Sequence, residues 1–138
     1  MNEIKRKILP LRQQGDLLFL SGHGCEGEDG IPIYIGHIGT DLTTNEGYLA
    51  AKRCGERLLE TLEDYLGTLD RVKSIVKVLG FVNSAETFYD QPLVMNGFSD
   101  LMIERLGDRG QHARSAIGTS VLPNNQAVEI EMVVEVKE

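Results

Sequence analysis

Residues 43–67 constrain this chain more than any other stretch. Thr43-Thr44-Asn45-Glu46 has the spacing of a capping box, a hydroxyl followed three residues later by a carboxylate. Ala51, Cys54, Leu58, Leu62 and Tyr65 then recur at three- and four-residue steps, so one face of a helix over 44–66 is apolar. Gly67 stands where a left-handed C-cap is wanted. A helix of that length must lay its apolar face on something, and most of the remaining chain reads as strands.

DLLFLS (16–21) is a compact apolar run ending at Gly22, the length of a buried strand. HGCEGEDG (23–30) is a turn-rich loop, and IPIYIG (31–36) reads as a second short strand or strand end. RVKSIVKVLGFV (71–82) is β-branched and long enough for a central strand, with Lys73 and Lys77 on its polar side. Asp90 and Pro92 mark the start of a second helix whose buried stripe is Phe98, Leu101, Met102 and Leu106, with Gly107 ending it. ARSAIGTSVL (113–122) and AVEIEMVVEV (127–136) are strands joined by the turn composition Pro123-Asn124-Asn125-Gln126. The order β-β-(β)-α-β-α-β-β predicts an α+β sandwich, one domain over 1–138, with two helices on one face of a mixed sheet. No helix remains to cover the other face, so an apolar surface there would call for a partner subunit.

The 138 residues carry a formal net charge of −7, which sets the chain against nucleic acid as a main partner. Lys5, Arg6 and Lys7 are the nearest thing to a basic patch and read as a solvated strand end. The two cysteines, Cys25 and Cys54, lack metal-ligand spacing and suggest a reducing compartment. No run of 18 apolar residues suggests a membrane span, and MNEIKRKILPL lacks a signal-peptide core, so the expected location is the cytoplasm.

The last two strands hold the candidate chemistry. Alternation puts Arg114 on one face with Ala116, Gly118 and Ser120, a long cation over a floor of small residues. A small anion could fill that hollow, held by the guanidinium fork. Equally, the arginine could cap a sheet edge or pair with a structural carboxylate. In the last strand Glu129, Glu131 and Glu135 share one face with Val133. Most of that face reads as solvated, but a single carboxylate beside a bound ligand could accept a proton or position water. If residues 122 and 127 paired across the turn, Glu129 would face position 120, roughly 20 Å along the strand from Arg114. On that register the two meet only if a second chain brings them together. His23, His37 and His112 match no zinc spacing, and no metal or cofactor is expected. Glycines 22, 24, 27 and 30 open no helix, so they form no phosphate loop.

SGHG after DLLFL, then IVKVLGFVNS, then ARSAIGTSVLPNNQAVEIEMVVEV, resemble the Rid/YjgF-type family of imine/enamine deaminases, also labelled L-PSP endoribonuclease-like. The resemblance spans nearly the whole chain in order. It implies a chorismate-mutase-like α+β fold and a homotrimer whose sheets form a central barrel, with clefts between subunits. It also implies that Arg114 grips a substrate carboxylate and that Glu129 positions the attacking water. Gly22 and Ala116 would contribute backbone contacts, Asn96 would line the cleft, and His23, next to Gly22, could line it too. The ligand implied is a small carboxylate-bearing metabolite, such as a 2-imino or 2-enamino acid, with no cofactor. Three features depart from the pattern. ILPLRQQGD offers no aromatic where deaminating members usually carry one. Ala116 stands where many members have cysteine. About four extra residues lie in SAETFYDQPLVM. Three functions follow: imine or enamine hydrolysis, non-catalytic binding of small carboxylates, and, from the family's other label alone, RNA cleavage.

Overall fold

A computed structural model describes residues 7–138. Lys5 and Arg6 of the short basic run lie outside the described residues. The elements are β1 (Leu11–Gln14), β2 (Leu17–Gly24), α1 (Thr44–Leu66), β3 (Val72–Asn83), α2 (Gln91–Leu106), β4 (Ala113–Thr119) and β5 (Val128–Val136). The strands form one sheet in the order β1-β2-β5-β3-β4. Only the β3–β4 pair is parallel, and α2 is its crossover. The expected mixed sheet with two helices on one face is therefore present, and the fold is the chorismate-mutase-like one.

Helix α1 begins as its sequence demands. The Thr43 hydroxyl accepts from the Glu46 N–H, and the Glu46 carboxylate accepts from the Thr43 N–H. It ends at Gly67 with φ 83°, a left-handed conformation that glycine adopts without strain. Ala51, Cys54, Leu58 and Leu62 are buried as the periodicity requires. Tyr65 is not. It is 49 % exposed, and its hydroxyl donates to Gln13 Oε1 of β1 at 2.6 Å. In α2 the whole expected stripe, Phe98, Leu101, Met102 and Leu106, is buried.

Where the helices meet the sheet, glycines set the spacing. A Cβ on Gly97 of α2 would lie 2.0 Å from the Tyr48 carbonyl oxygen of α1, so the two backbones touch there. A Cβ on Gly80 of β3 would meet Met95 of α2 at 2.2 Å. Beneath the helices lie Leu18, Leu20, Ile75, Val78, Val82, Ile130, Met132 and Val134, all buried. The opposite face keeps Phe19 and Ile117 each 46 % exposed.

Two further expectations fail. IPIYIG forms no strand; its β-pairing is limited to single bridges, Glu26 with Pro32 and Ile35 with Gln126. Pro32 has no N–H for a ladder, and Gly30 and Gly36, at φ 82° and 128°, turn the chain at both ends. The assumed hairpin between the last two strands is also absent. β4 pairs with β3 alone, and β5 lies on the far side of β3, between it and β2. The connection must therefore cross the end of β3. Asn124 and Asn125, both left-handed at φ 60° and 53°, steer it there. The pairing of 122 with 127 does not exist, and the separation of Arg114 from Glu129 has another cause.

Candidate functional site

Register fixes which way each candidate points. Arg114 lies beside Val78, which lies beside Met132, and both neighbours are buried under the helices. Side chains paired across a sheet share a face, so Arg114 rises on the helix side. Glu129 lies beside Phe81, which lies beside Ile117, on the open side. Across β3 the two candidates are two strands and three residues apart, about 14 Å, on opposite faces. One chain does not bring them together.

Arg114 sits on the edge strand against α2. Its Nη1 donates to Asn96 Oδ1 and to Ser99 Oγ, each at 3.0 Å, and Nη2 leans on the Pro92 carbonyl at 3.5 Å. All three partners are neutral, and among the described residues no carboxylate pairs with it. A guanidinium has five N–H donors. Nε–H and one Nη2–H meet no acceptor of the described residues. One hydrogen on Nε and one on Nη2 are the pair with which a guanidinium grips a carboxylate side-on. Gly118, on the same row, has no Cβ because Gln91 Nε2 would lie 2.6 Å from it.

Asn96 touches both the arginine and a cleft. It accepts from Arg114, and it lines a cleft of about 470 Å³ with Thr44, Asn45, Tyr48, Leu93 and Asp100. Ala116 lies between Arg114 and Gly118 on the row, partly buried and packed on the core.

Glu129 depends on a bulge. Between the pairs Leu20–Met132 and His23–Ile130, β2 has two residues where β5 has one. The extra residue puts Gly22 against Glu129. A Cβ on Gly22 would lie 2.7 Å from Glu129 Oε2, so only glycine leaves the carboxylate room. Burial, and then the charges of Glu26 and Glu131, push the Glu129 carboxyl above the usual carboxylate value. That moves it toward the range of a proton acceptor at neutral pH.

His23 takes the other face of the bulge. Its Nε2 meets Thr61 Oγ1 of α1 at 2.8 Å, and its Nδ1 meets the Ser21 carbonyl at 2.7 Å. Burial lowers its pKa below the ordinary histidine value. The ring is thus beneath α1, with the sheet between it and the carboxylate of Glu129. Of the six candidates, the structure joins Arg114 with Asn96, with Ala116 next on the same row, and joins Glu129 with Gly22. His23 stands apart from both groups.

Sequence reasoning missed Ser99. A serine on an amphipathic helix carries no signal of its own, and only the fold sets it beside Arg114. For His112 the sequence offered a place just before the strand, near the cleft mouth, but no partner. His112 Nε2 lies 2.9 Å from Ser99 Oγ, and its Nδ1 lies 2.6 Å from the Gly110 carbonyl. The remaining histidine, His37, bonds the Ser120 carbonyl through Nε2 and lies beside Asp41. Cys25 and Cys54 are free and buried, and burial pushes the Cys54 thiol up. No helix among the described residues is long and apolar enough to cross a membrane.

Comparison with known proteins agrees with this architecture. Protein TCP17 of Trypanosoma cruzi is 44 % identical over 101 residues, covering 72 % of this chain and 63 % of TCP17. The chain therefore spans less than two thirds of that relative's length. The protein Atu1372 of Agrobacterium tumefaciens, of unknown function, superposes with a TM-score of 0.93 at 35 % identity, covering 95 % of this chain and 82 % of that one. A "putative endoribonuclease" of Shewanella oneidensis gives 0.91 at 27 %, covering 98 % and 89 %. RidA of a Psychrobacter species shares the fold, at 0.65 and 17 % identity, covering 97 % and 92 %. The family described as "YjgF/chorismate mutase-like, putative endoribonuclease" matches residues 10–136, and the chain belongs to it.

Proposed function

We propose that this protein hydrolyses reactive 2-imino and 2-enamino acids to 2-oxo acids, in a cleft completed by a second copy of the chain. The observation that carries the reading is the unoccupied edge of the Arg114 guanidinium, Nε–H and Nη2–H, on a cation that no described carboxylate neutralises. That edge takes the substrate carboxylate, and Asn96 and Ser99 hold the other side of the guanidinium still. Ala116 offers its backbone carbonyl, which the change from cysteine leaves intact. Glu129 of a neighbouring copy orients water over the imine carbon and accepts its proton. The water oxygen bonds to that carbon, the C=N bond becomes C–N, and the nitrogen takes a proton. The hydroxyl proton of this carbinolamine then passes to the nitrogen as the C–N bond breaks, ammonia leaves, and a C=O bond remains. The imine carbon is already electrophilic, so placing substrate and water together supplies much of the acceleration.

Opposite orientation of Arg114 and Glu129 supports assembly, because no movement within one sheet brings them together. A homotrimer with its open sheet faces turned inward would bury Phe19, Phe81 and Ile117 and set each Arg114 edge toward a neighbour's Glu129. His23 acts in this reading by bracing the bulge that carries Gly22, through its bond to the Ser21 carbonyl. Two buried free thiols fit a reducing cytoplasm. A net charge of −7 weighs against RNA as the substrate.

The test is hydrolysis of freshly generated 2-iminopropanoate by the purified protein. The wild type should exceed buffer, and Arg114→Ala and Glu129→Gln should each lose about 100-fold or more in kcat/KM. Hydrolysis no faster than buffer, or undiminished in Arg114→Ala, would sink the proposal. A second reading, binding of small carboxylates without turnover, is favoured by the absence of any aromatic from residues 8–16. In that case 2-oxo acids raise the melting temperature of the wild type while no imine is consumed.

A further inference from the structure

His112 has no role in the reaction so far, yet it joins the proposed grip through Ser99. We propose that His112 is a positioning residue which, acting through Ser99, fixes the orientation of the Arg114 guanidinium. The value of that orientation for catalysis rests on the reading of Arg114 as the carboxylate grip; the positioning itself does not.

Hydrogen-bond polarity is settled link by link. The Gly110 carbonyl can only accept, so His112 Nδ1, 2.6 Å away, carries the proton. In the neutral ring Nε2 is then a bare acceptor. The Ser99 hydroxyl, 2.9 Å from it, must donate its single hydrogen there. Its oxygen lone pairs are left to accept from Arg114 Nη1–H at 3.0 Å. Donation therefore runs one way, from arginine to serine to imidazole, and from the imidazole to a backbone carbonyl. A hydroxyl free to rotate would leave Arg114 with an acceptor of varying direction. One fixed by an imidazole does not.

The imidazole is itself fixed. Phe98 meets it edge-on, with centroids 5.5 Å apart and planes at 74°. Burial first, and then the charge of Arg114, lower the pKa of His112 below the ordinary value, while the bond to Gly110 raises it. That favours the neutral ring, the form the chain of bonds needs. Other charges near these elements are directed elsewhere. Arg109, on the turn Gly107–Gly110, donates to the Leu69 and Val72 carbonyls, and Lys77 of β3 donates to Ser115 Oγ on the opposite face. Asp100 of α2 accepts from the Tyr48 hydroxyl.

Nitrogen-15 NMR of the arginine side chains, in the protein without ligand, tests the proposal directly. The wild type should show restricted rotation about the Arg114 Cζ–N bonds, seen as separate Nη signals. His112→Leu and Ser99→Ala should both collapse them. His112→Gln, whose amide oxygen can still accept from Ser99, should keep them. In parallel, the affinity for 2-oxopropanoate should fall about tenfold in His112→Leu and in Ser99→Ala, the size of one neutral hydrogen bond. The double variant should fall no further than either single one, because both remove the same link. Unchanged Arg114 signals in a folded His112→Leu protein would overturn the proposal, and so would losses that add in the double variant. If the signals behave as expected but wild type binds no 2-oxopropanoate, the positioning stands and the carboxylate reading falls.

Discussion

The two faces of the sheet are built to different ends. Toward the helices the sheet is finished: Val78, Val82, Ile130 and Val134 are sealed, and glycines 80 and 97 allow contact closer than any side chain permits. The polar groups on that side are held as well, His23 by α1 and one side of the Arg114 guanidinium by α2, with only the rest of that guanidinium left without a partner. Toward the open side Phe19 and Ile117 remain about half exposed, and Glu129 sits partly desolvated with two further carboxylates acting on it. Apart from the free donors of Arg114, one face meets its needs within the chain. The other has an apolar surface and a strained charge that this chain alone does not resolve, which is the arrangement expected of a site and an interface rather than a core.

Two glycine substitutions separate the faces most sharply. Gly97→Ala drives a methyl group against the Tyr48 backbone, which cannot rotate away, so the helices must part. We expect about 3 kcal/mol of lost stability by urea denaturation; a loss under about 1 kcal/mol would mean that the helices yield easily. Gly22→Ala meets only the tip of Glu129, a flexible group that can swing aside. Stability should change little, within about 0.5 kcal/mol, while imine hydrolysis falls about tenfold or more because the carboxylate is displaced. Equal effects of the two substitutions on stability would erase the contrast.

Assembly gives the next test. Ile117→Glu places a charge in the middle of the open face, in the row with Phe81 and Glu129. The single chain should fold normally, since that side chain is nearly half in water already. Light scattering should report the mass of a trimer for the wild type and of a monomer for the variant. A variant that still assembles would move the interface elsewhere.

Much of this was legible in the sequence, and the failures share a cause. Thr43, Glu46 and Gly67 announced the helix they bound, because caps are local chemistry. The stripe of α2 was readable for the same reason. Strand partners were not. ARSAIGTS and AVEIEMVV are joined by a short turn-like segment, and nothing local says that it crosses the end of β3 and sets β5 on the far side. IPIYIG has the alternation of a strand, yet Pro32 and the flanking glycines deny it a ladder. Arg114 and Glu129 stood out by residue type on small or alternating strands. Ser99 did not, because its meaning is a distance between α2 and β4, and His112 could be placed only near the cleft mouth, without its partner.

Acid makes the faces diverge in the opposite sense, by a smaller margin. His23 and His112, on the helix side, have folded pKa values below 6.5, chiefly through burial. Their contribution to stability is complete above the unfolded value and is lost as pH falls through the lowered folded values. Glu129, on the open side, has a folded value raised above 4.5. Its contribution is complete below the unfolded value and is lost as pH rises through the raised one, so the ionised carboxylate costs stability at neutral pH. Glu129→Gln should therefore be more stable than the wild type at pH 7, with the advantage shrinking as pH falls toward the unfolded value. Urea midpoints at pH 4.5, 5.5 and 7 measure it. Should a second copy bring its Arg114 beside Glu129, that cation would lower the carboxyl again and shrink the gain. A Glu129→Gln advantage that is large in a monomeric Ile117→Glu background and absent in the assembled protein would tie the open face's unresolved charge to the neighbour that completes it.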